Sequence, residues 1–411
     1  LLVDNFSSNA KFDSLNSSFK NRTELIPSIN DFESDPVQVK GIIGLTKDGT
    51  GTRIITEKGV WKYTGYWELE STLDGAFDAS YISLNPNLEV IAGASNGLWK
   101  YDGSWTKQTS SARQNSYLTG FWNSSLFEAF ATSDGLNVKL GSTNFLSDFL
   151  KLTTNNINGI FKGVYVKNSL GNVQEFESLH AAGDDGYYVM GNDTQYASFS
   201  SFLVPRKMFS AGNPEGVNKY YKSFQAYSVP SSTNKTTYAN PLFIFTNDGI
   251  LKIRNWKYSY PDDVNSSDFI VDSRFLRGLH CFSYAIDTEA AIGNTPGKSK
   301  IYIGTNDGVY RSFDEGNTFE RSDYIGTLPT CVYDLQVFSS TFNSITQNVL
   351  VACTNNGIWY TLDDGDCWYR TGENTSEGYS PVLFSSKPSN DIRFIASDSG
   401  SVGYLAQTFT T

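Results

Sequence analysis

The sequence is poor in the side chains that most often carry chemistry. Its 411 residues include 2 His, 2 Met and 4 Cys. Cys281, Cys331, Cys353 and Cys367 fall in one quarter of the chain and none belongs to a Cys-x-x-Cys pair, so the usual metal and redox motifs are missing. With His180 and His280 as the only histidines, a zinc centre is disfavoured as well, and neither stands in a nucleophile-elbow context. The sequence therefore predicts no metal and no cofactor. Positive charge is also short: 32 Lys and Arg face 43 Asp and Glu, for a net −11, and no basic run stands out. Such a surface is repelled by nucleic acid and by anionic membranes. No apolar run approaches the roughly 20 residues that cross a bilayer; the strongest, "VLVAC" at 349–353, has the length of a strand. The opening "LLVDNFSSNAKFDS" has neither a basic start nor a long apolar stretch, which points to a mature or trimmed product, or a piece of something longer, rather than an intact signal peptide. No segment offers a 3.6-residue apolar stripe with caps.

What is present is aromatic and turn-rich. Aromatic residues make up 15% and charged residues 18%, with 35 Gly, a mixture suited to many short strands joined by polar turns. The strings "GTNDGVYRSFDEGNTF" (304–319) and "CTNNGIWYTLDDGDCW" (353–368) are nearly the same sentence. Their core, an apolar run, a turn ending in Gly and a second apolar run, recurs in "TRIITEKGVWKYTGYW" (52–67), "EVIAGASNGLWKYDGSW" (89–105), "FEAFATSDGLNVKL" (127–140), "PLFIFTNDGILKI" (241–253) and "DIRFIASDSGSVGYL" (391–405). A weaker copy, "GYYVMGNDTQYASF" (186–199), brings the total to eight. Asn-Asp-Gly and Ser-Asn-Gly between apolar runs are hairpin signals, because those turns need backbone angles that Gly and Asn tolerate.

The runs "IYI", "VLVA", "FIF", "YYVM" and "RFIA" are continuously apolar. A sheet with one wet face alternates, so these strands are covered on both faces. With no helices to cover them, each small sheet must be covered by the next. Sheets of about four strands, repeated every 40–50 residues and packed face to face, describe a β-propeller. The expected architecture is an all-β ring of eight four-stranded antiparallel blades over 36–411, with seven as the alternative. Residues 1–35 form an N-terminal arm, from which "LLVDNF" is expected to complete the short last repeat and close the ring.

"SFDEGNTF" (Ser312–Phe319) and "TLDDGDCW" (Thr361–Trp368) fit Ser/Thr-x-Asp-x-Gly-x-Thr/Cys-aromatic. The pattern resembles the Asp-box, or BNR repeat, of sialidase-like and sortilin-like propellers, strongly only within 290–370. Physically, Asp314 or Asp363 folds back to accept turn amides, Gly316 or Gly365 supplies a left-handed position, and Phe319 or Trp368 plugs between sheets; Ser312 and Thr361 open the two turns. The resemblance implies that these are structural residues remote from any ligand. A sialidase would also need an arginine cluster and an Arg-Ile-Pro-like motif. Arg53 in "TRII" is followed by no Pro, and "LIPS" at 25–28 has no Arg. A glycosidase needs two carboxylates across a cleft, and no pair stands out.

Cys281 and Cys331 hold equivalent places on successive repeats, so either a disulfide or two buried thiols is expected there. Trp122, Trp256 and Tyr258 lie outside the clear hairpins and are candidates for stacking on sugar rings. Long insertions around 139–185, 200–240 and 252–300 place binding loops in the third to sixth repeats. Together these features predict a non-catalytic propeller, a structural or receptor- or glycan-binding module of a virion (a tail, fibre or decoration protein of a bacterial virus) or of a cell-exterior assembly. Its expected partners are other protein subunits and possible surface glycan, with no nucleic acid and no membrane insertion. The alternative is a secreted carbohydrate-active propeller hydrolase, sialidase- or endoglucanase-like.

Overall fold

In the computed structural model of the chain, the described residues are the strands of eight sheets and the turns bonded to them. They fall within 23–25, 39–43, 53–140, 150–226, 241–253, 271–288, 299–322, 331–370, 391–398 and 401–408. Among them the helical content is one 3-10 turn, Leu73–Gly75. Seven sheets have four antiparallel strands in chain order and one has three. The chain is a β-propeller, and its sheets are numbered here as blades 1 to 8.

Blade 1 contains Val39–Ile43, Arg53–Thr56, Gly59–Tyr63 and Trp67–Ser71. Blade 2 contains Tyr81–Leu84, Val90–Ala94, Gly97–Tyr101 and Trp105–Lys107. Blade 3 contains Gln114–Trp122, Ser125–Thr132, Gly135–Leu140 and Leu150–Lys151. Blade 4 contains Ile157–Ser169, Asn172–Gly183, Gly186–Gly191 and Arg206–Ser210. Blade 5 contains Tyr220–Gln225, Leu242–Thr246, Gly249–Ile253 and Val271–Phe275. Blade 6 contains Cys281–Thr288, Ser299–Thr305, Gly308–Ser312 and Glu320–Arg321. Blade 7 contains Val332–Phe342, Ile345–Thr354, Gly357–Thr361 and Tyr369–Arg370.

Blade 8 is built from both ends of the chain. Asp391–Asp398 pairs with Ser401–Thr408, whose other edge takes Thr23–Leu25, with Thr23 opposite Leu405 and Leu25 opposite Gly403. The strand expected from Leu1–Phe6 lies outside the described residues.

Among the described residues the core is a set of wedges between neighbouring sheets from blade 1 to blade 7. In the second strand of blade 5, Leu242 and Ile244 pack with Tyr187 and Phe209 of blade 4, while Phe243 and Phe245 pack with Cys281 and Ile301 of blade 6. Every residue of that strand is buried. Full burial of one such side chain contributes about 1.5–3 kcal/mol, and a strand with two dry faces doubles the number that contribute. This is why the run is continuously apolar. Equivalent wedges join blades 1 and 2, 3 and 4, and 6 and 7.

The recurring turn has a repeated seal. Thr56, Thr132, Thr246 and Thr305 end the second strands of their blades. Each hydroxyl donates to the carbonyl of the Gly three residues on, at 2.8–3.3 Å, and accepts the amide two residues on, at 2.9–3.1 Å. These threonines are buried, so the bonds close polar groups that water cannot reach. The next residue ties the turn to the chain entering the blade: Asn306 Oδ1 accepts from the His280 amide, and Asn247 Oδ1 from the Asn218 and Lys219 amides.

Blade 4 departs from the sequence reading. Its hairpin turn is Asp184–Asp185, between Asn172–Gly183 and Gly186–Gly191, so "YYVM" is the third strand and not the second. The Gly-Asp-Asp-Gly string makes the turn, and the Asn192-Asp193 that resembled one follows the third strand. The 139–185 stretch, expected as loop, contains a hairpin of 13- and 12-residue strands instead. The third strand supports the second only from Ser178 onward, and six further pairs, Val164–Glu177 to Ser169–Asn172, continue as a two-stranded ribbon. At about 3.4 Å per residue it runs roughly 20 Å past its support. Blade 7 repeats the device with Phe338–Phe342 and Ile345–Val349 beyond the end of its third strand.

Candidate functional site

The two Ser/Thr-x-Asp-x-Gly turns have one geometry. Ser312 Oγ donates to Asp314 Oδ1 at 2.8 Å and accepts the Gly316 amide at 2.8 Å. Asp314 Oδ1 also accepts the Asn317 and Thr318 amides at 3.0 and 2.9 Å, and Oδ2 accepts the Thr318 hydroxyl at 2.7 Å. Partial burial pushes the Asp314 carboxyl up, but the Thr318, Ser312 and Asn317 bonds outweigh it and hold it below its ordinary value. In the second turn Thr361 Oγ1 donates to Asp363 Oδ1 at 2.6 Å, and the Gly365 and Cys367 amides bond to Thr361 Oγ1 and Asp363 Oδ1 at 2.9 Å each. Glu315 and Gly316, and likewise Asp364 and Gly365, have positive φ, so each turn takes two left-handed residues where the sequence pointed to one.

Both turns dock on the preceding blade. Buried Lys252 of blade 5 donates to the Glu315 and Gly316 carbonyls at 3.0 and 2.9 Å and to Asn317 Oδ1 at 2.9 Å. Lys300 and Tyr302 of blade 6 donate to the Asp364 carboxylate at 2.9 and 2.8 Å. Phe319 lies edge-on to Phe243 of blade 5, and Trp368 Nε1 donates to Ser322 Oγ at 2.8 Å. Trp105 of the shortened copy in blade 2 does the same to Glu70 of blade 1, at 3.0 Å. The Asp314 and Asp363 carboxylates hold their own turns, and those of Asp364 and Glu70 tie neighbouring blades together.

A concave site of about 360 Å³ opens where the first strands of blades 5, 6 and 7 meet. It is lined by Lys222, Ser283–Ile286 and Asp334–Val337. First strands end their sheets, so one edge of each offers unpaired backbone donors and acceptors. Tyr284 is fixed by stacking on Phe224, with ring centroids 4.3 Å apart. The Lys222 ammonium lies 5.7 Å from the centre of the Phe245 ring. Desolvation pulls its pKa below the ordinary value, against Asp334 and Cys281, which raise it. Ser283 is 3% exposed, and its Oγ has no hydrogen-bond partner among the described residues. None of these residues was singled out from the sequence. The available signal was a lone Lys inside the apolar "YYKSFQ", legible only once the strand is known to line the centre.

The other sequence candidates scatter. Trp122 ends the first strand of blade 3, opposite Ser125 at the hairpin tip. Trp256 and Tyr258 lie outside the described residues, between Ile253 and Val271. Cys281, Cys331 and Cys367 form no disulfide among the described residues; Cys281 is buried, and that burial pushes its thiol up to about 12. Of the two arrangements expected for Cys281 and Cys331, the structure has the two thiols, with Cys281 buried and Cys331 half-buried. His280 is exposed and stacks on Phe282, whereas His180 is fully buried. The Gly93–Gly97 string spells Gly-x-Ser-x-Gly but forms the hairpin between the second and third strands of blade 2, not a strand-to-helix elbow. Among the described residues no three His, Cys, Asp or Glu side chains converge to hold a metal, and no helix is long and apolar enough to cross a membrane.

No family model matches the sequence, and no curated protein does. Solved structures do resemble the fold. Sqt1 of Saccharomyces cerevisiae superposes with a TM-score of 0.54 at 11% identity, over 94% of this chain and 100% of that one. The WD40 domain of SCAP from fission yeast gives 0.46 at 9% identity over 95% and 99%. The extracellular domain of the hybrid two-component system BT4673 from B. thetaiotaomicron gives 0.42 at 14% identity, and covers 82% of this chain. This chain spans 39% of that domain's length. At such identities the likeness shows a β-propeller and nothing finer.

Proposed function

We propose that this chain is a non-catalytic propeller that docks other proteins in an assembly outside the cell or on a virion. The observation that carries the reading is the pair of two-stranded ribbons on blades 4 and 7. Both extend the connection between first and second strands, and in a propeller all such connections lie on one face. A free hairpin gains little stability by itself, so two ribbons carried at their bases by packed blades are better explained by the backbone edges they offer to a partner. Trp122 sits at the matching tip of blade 3, and the strand ends flanking Trp256 and Tyr258, Ile253 and Val271, pair at the same edge of blade 5. A glycan contacted beside a protein partner would use those three aromatics. The resemblance of 304–319 and 353–368 to Asp-box propellers supports the same assignment, because Asp314 and Asp363 are spent on bonds within their own turns.

The test replaces 164–177 and 338–349 with two-residue turns and compares both forms in cross-linking to proteins of the extracellular fraction of the source. The trimmed chain should keep its strand content and thermal midpoint within a few degrees and lose the cross-linked partner. The intact chain should release no sugar from a panel of polysaccharides and sialosides. Turnover of any of them, abolished by a carboxylate substitution, would establish the hydrolase alternative and end this reading.

A further inference from the structure

We infer that the central site between blades 5, 6 and 7 binds a small organic acid whose other end donates hydrogen bonds, a hydroxy acid or an amino acid in chemistry. Lys222 presents an ammonium to a site of about 360 Å³. Among the described residues no hydrogen bond or ion pair holds that ammonium; it lies over the Phe245 ring, and the carboxylate whose charge acts on it is Asp334. An ammonium half removed from water and without an acceptor is satisfied by an anion, and charge-assisted bonds of this kind are the strong ones. Across the site Asp334 supplies the opposite sign, its Oδ1 fixed by the Leu335 amide at 3.0 Å. The two signs favour a ligand carrying an acid at one end and a donor at the other. Ser283 Oγ, buried and unpartnered among the described residues, and the unpaired edges of 283–286 and 334–337 add neutral hydrogen-bonding positions. The volume equals about a dozen waters, which fits a molecule of lactate-to-glutamate size. Tyr284, locked between Phe224 and Phe245, makes the wall rigid, so the site exists before the ligand arrives. The reading does not rest on docking through the ribbons: the blade 4 ribbon stands on other strands, and the blade 7 ribbon begins at Phe338, past the last lining residue of its strand, Val337.

The probes are lactate, malate and glutamate, with glycerol as the control that lacks a carboxylate, each titrated into the full chain by calorimetry. At least one acid should bind with a dissociation constant below 10 mM, the weak limit of about 3 kcal/mol, and glycerol should not. Lys222→Gln should weaken that acid about tenfold or more, and Asp334→Asn should weaken glutamate more than lactate. A readout that survives a poorly folded variant uses the native chain: acylation of amines near pH 8, followed by peptide mass spectrometry, should label Lys222 early, and the bound acid should protect it. Absence of binding by all three acids, binding equal to that of glycerol, or labelling of Lys222 unaffected by the acid that binds would each overturn the proposal.

Discussion

His180 gives the sharpest test of how dry the wedges are. It is 0% exposed in the second strand of blade 4, with Nε2 2.9 Å from Ser178 Oγ and its ring 5.7 and 5.9 Å from those of Phe161 and Tyr187. Burial alone pulls its pKa from 6.5 to about 3. Below 6.5 the unfolded chain takes a proton that the folded chain refuses. Stability from this residue is therefore present at neutral pH and is lost as pH falls, by about 1.4 kcal/mol per unit until about pH 3. Between pH 7 and pH 4.5 that is about 2.5 kcal/mol, a large part of the 5–15 kcal/mol typical of a domain. Carboxylates held low, such as Glu70, Asp184 and Asp314, lose stability over an overlapping range as they protonate. The assay must therefore be a difference. Urea unfolding of the native chain and of His180→Gln at pH 7 and 4.5 should show the variant weaker at pH 7 and the gap shrinking by about 2.5 kcal/mol at pH 4.5. A gap that stays constant with pH would mean that His180 takes up its proton in the folded state, and the account of sealed wedges between blades 4 and 5 would fail with it.

Two further outcomes follow from buried groups and from one turn. Burial pushes the Glu128 carboxyl up, against the bond from Tyr117 and the charge of Lys139, so its contribution falls as pH rises above its unfolded value. Glu128→Gln should raise the thermal midpoint at pH 7 and lose that advantage near pH 4; a midpoint unchanged at pH 7 would refute it. Gly316 and Gly103 share φ near +73°, but a Cβ on Gly316 would meet Phe243 at 2.4 Å whereas one on Gly103 would meet nothing within 4 Å. Gly103→Ala should cost about 1–2 kcal/mol for the left-handed backbone, and Gly316→Ala a further 1–3 kcal/mol for overpacking; equal losses in urea unfolding would contradict the packing of that turn on blade 5.

The fold was legible where one residue type serves one repeated purpose. Continuous runs such as Leu242–Phe245 announce two covered faces, and Thr-x-x-Gly marks the sealed hairpin. Blade 4 was misread because its turn is written Gly-Asp-Asp-Gly without the threonine, and because an Asn-Asp pair follows the wrong strand. Its ribbon has no third strand beside it and closes with Ser169 opposite Asn172, where the repeat turn has Gly, so it carries none of the signals that mark the other hairpins. The central site was silent for another reason. Lys222, Ser283 and Asp334 stand far apart in the chain, and only the meeting of three first strands gives them a common purpose.

Blade 8 carries an implication for biogenesis. Thr23–Leu25 must wait for Ser401–Thr408, made more than 370 residues later, before its backbone bonds exist, so a chain in synthesis holds seven finished blades with two raw borders. Any chaperone that attends this protein has those borders to cover, and a cut that frees 23–25 or 391–408, even without touching the wedges between blades 1 and 7, would reopen them and invite polymerisation edge to edge.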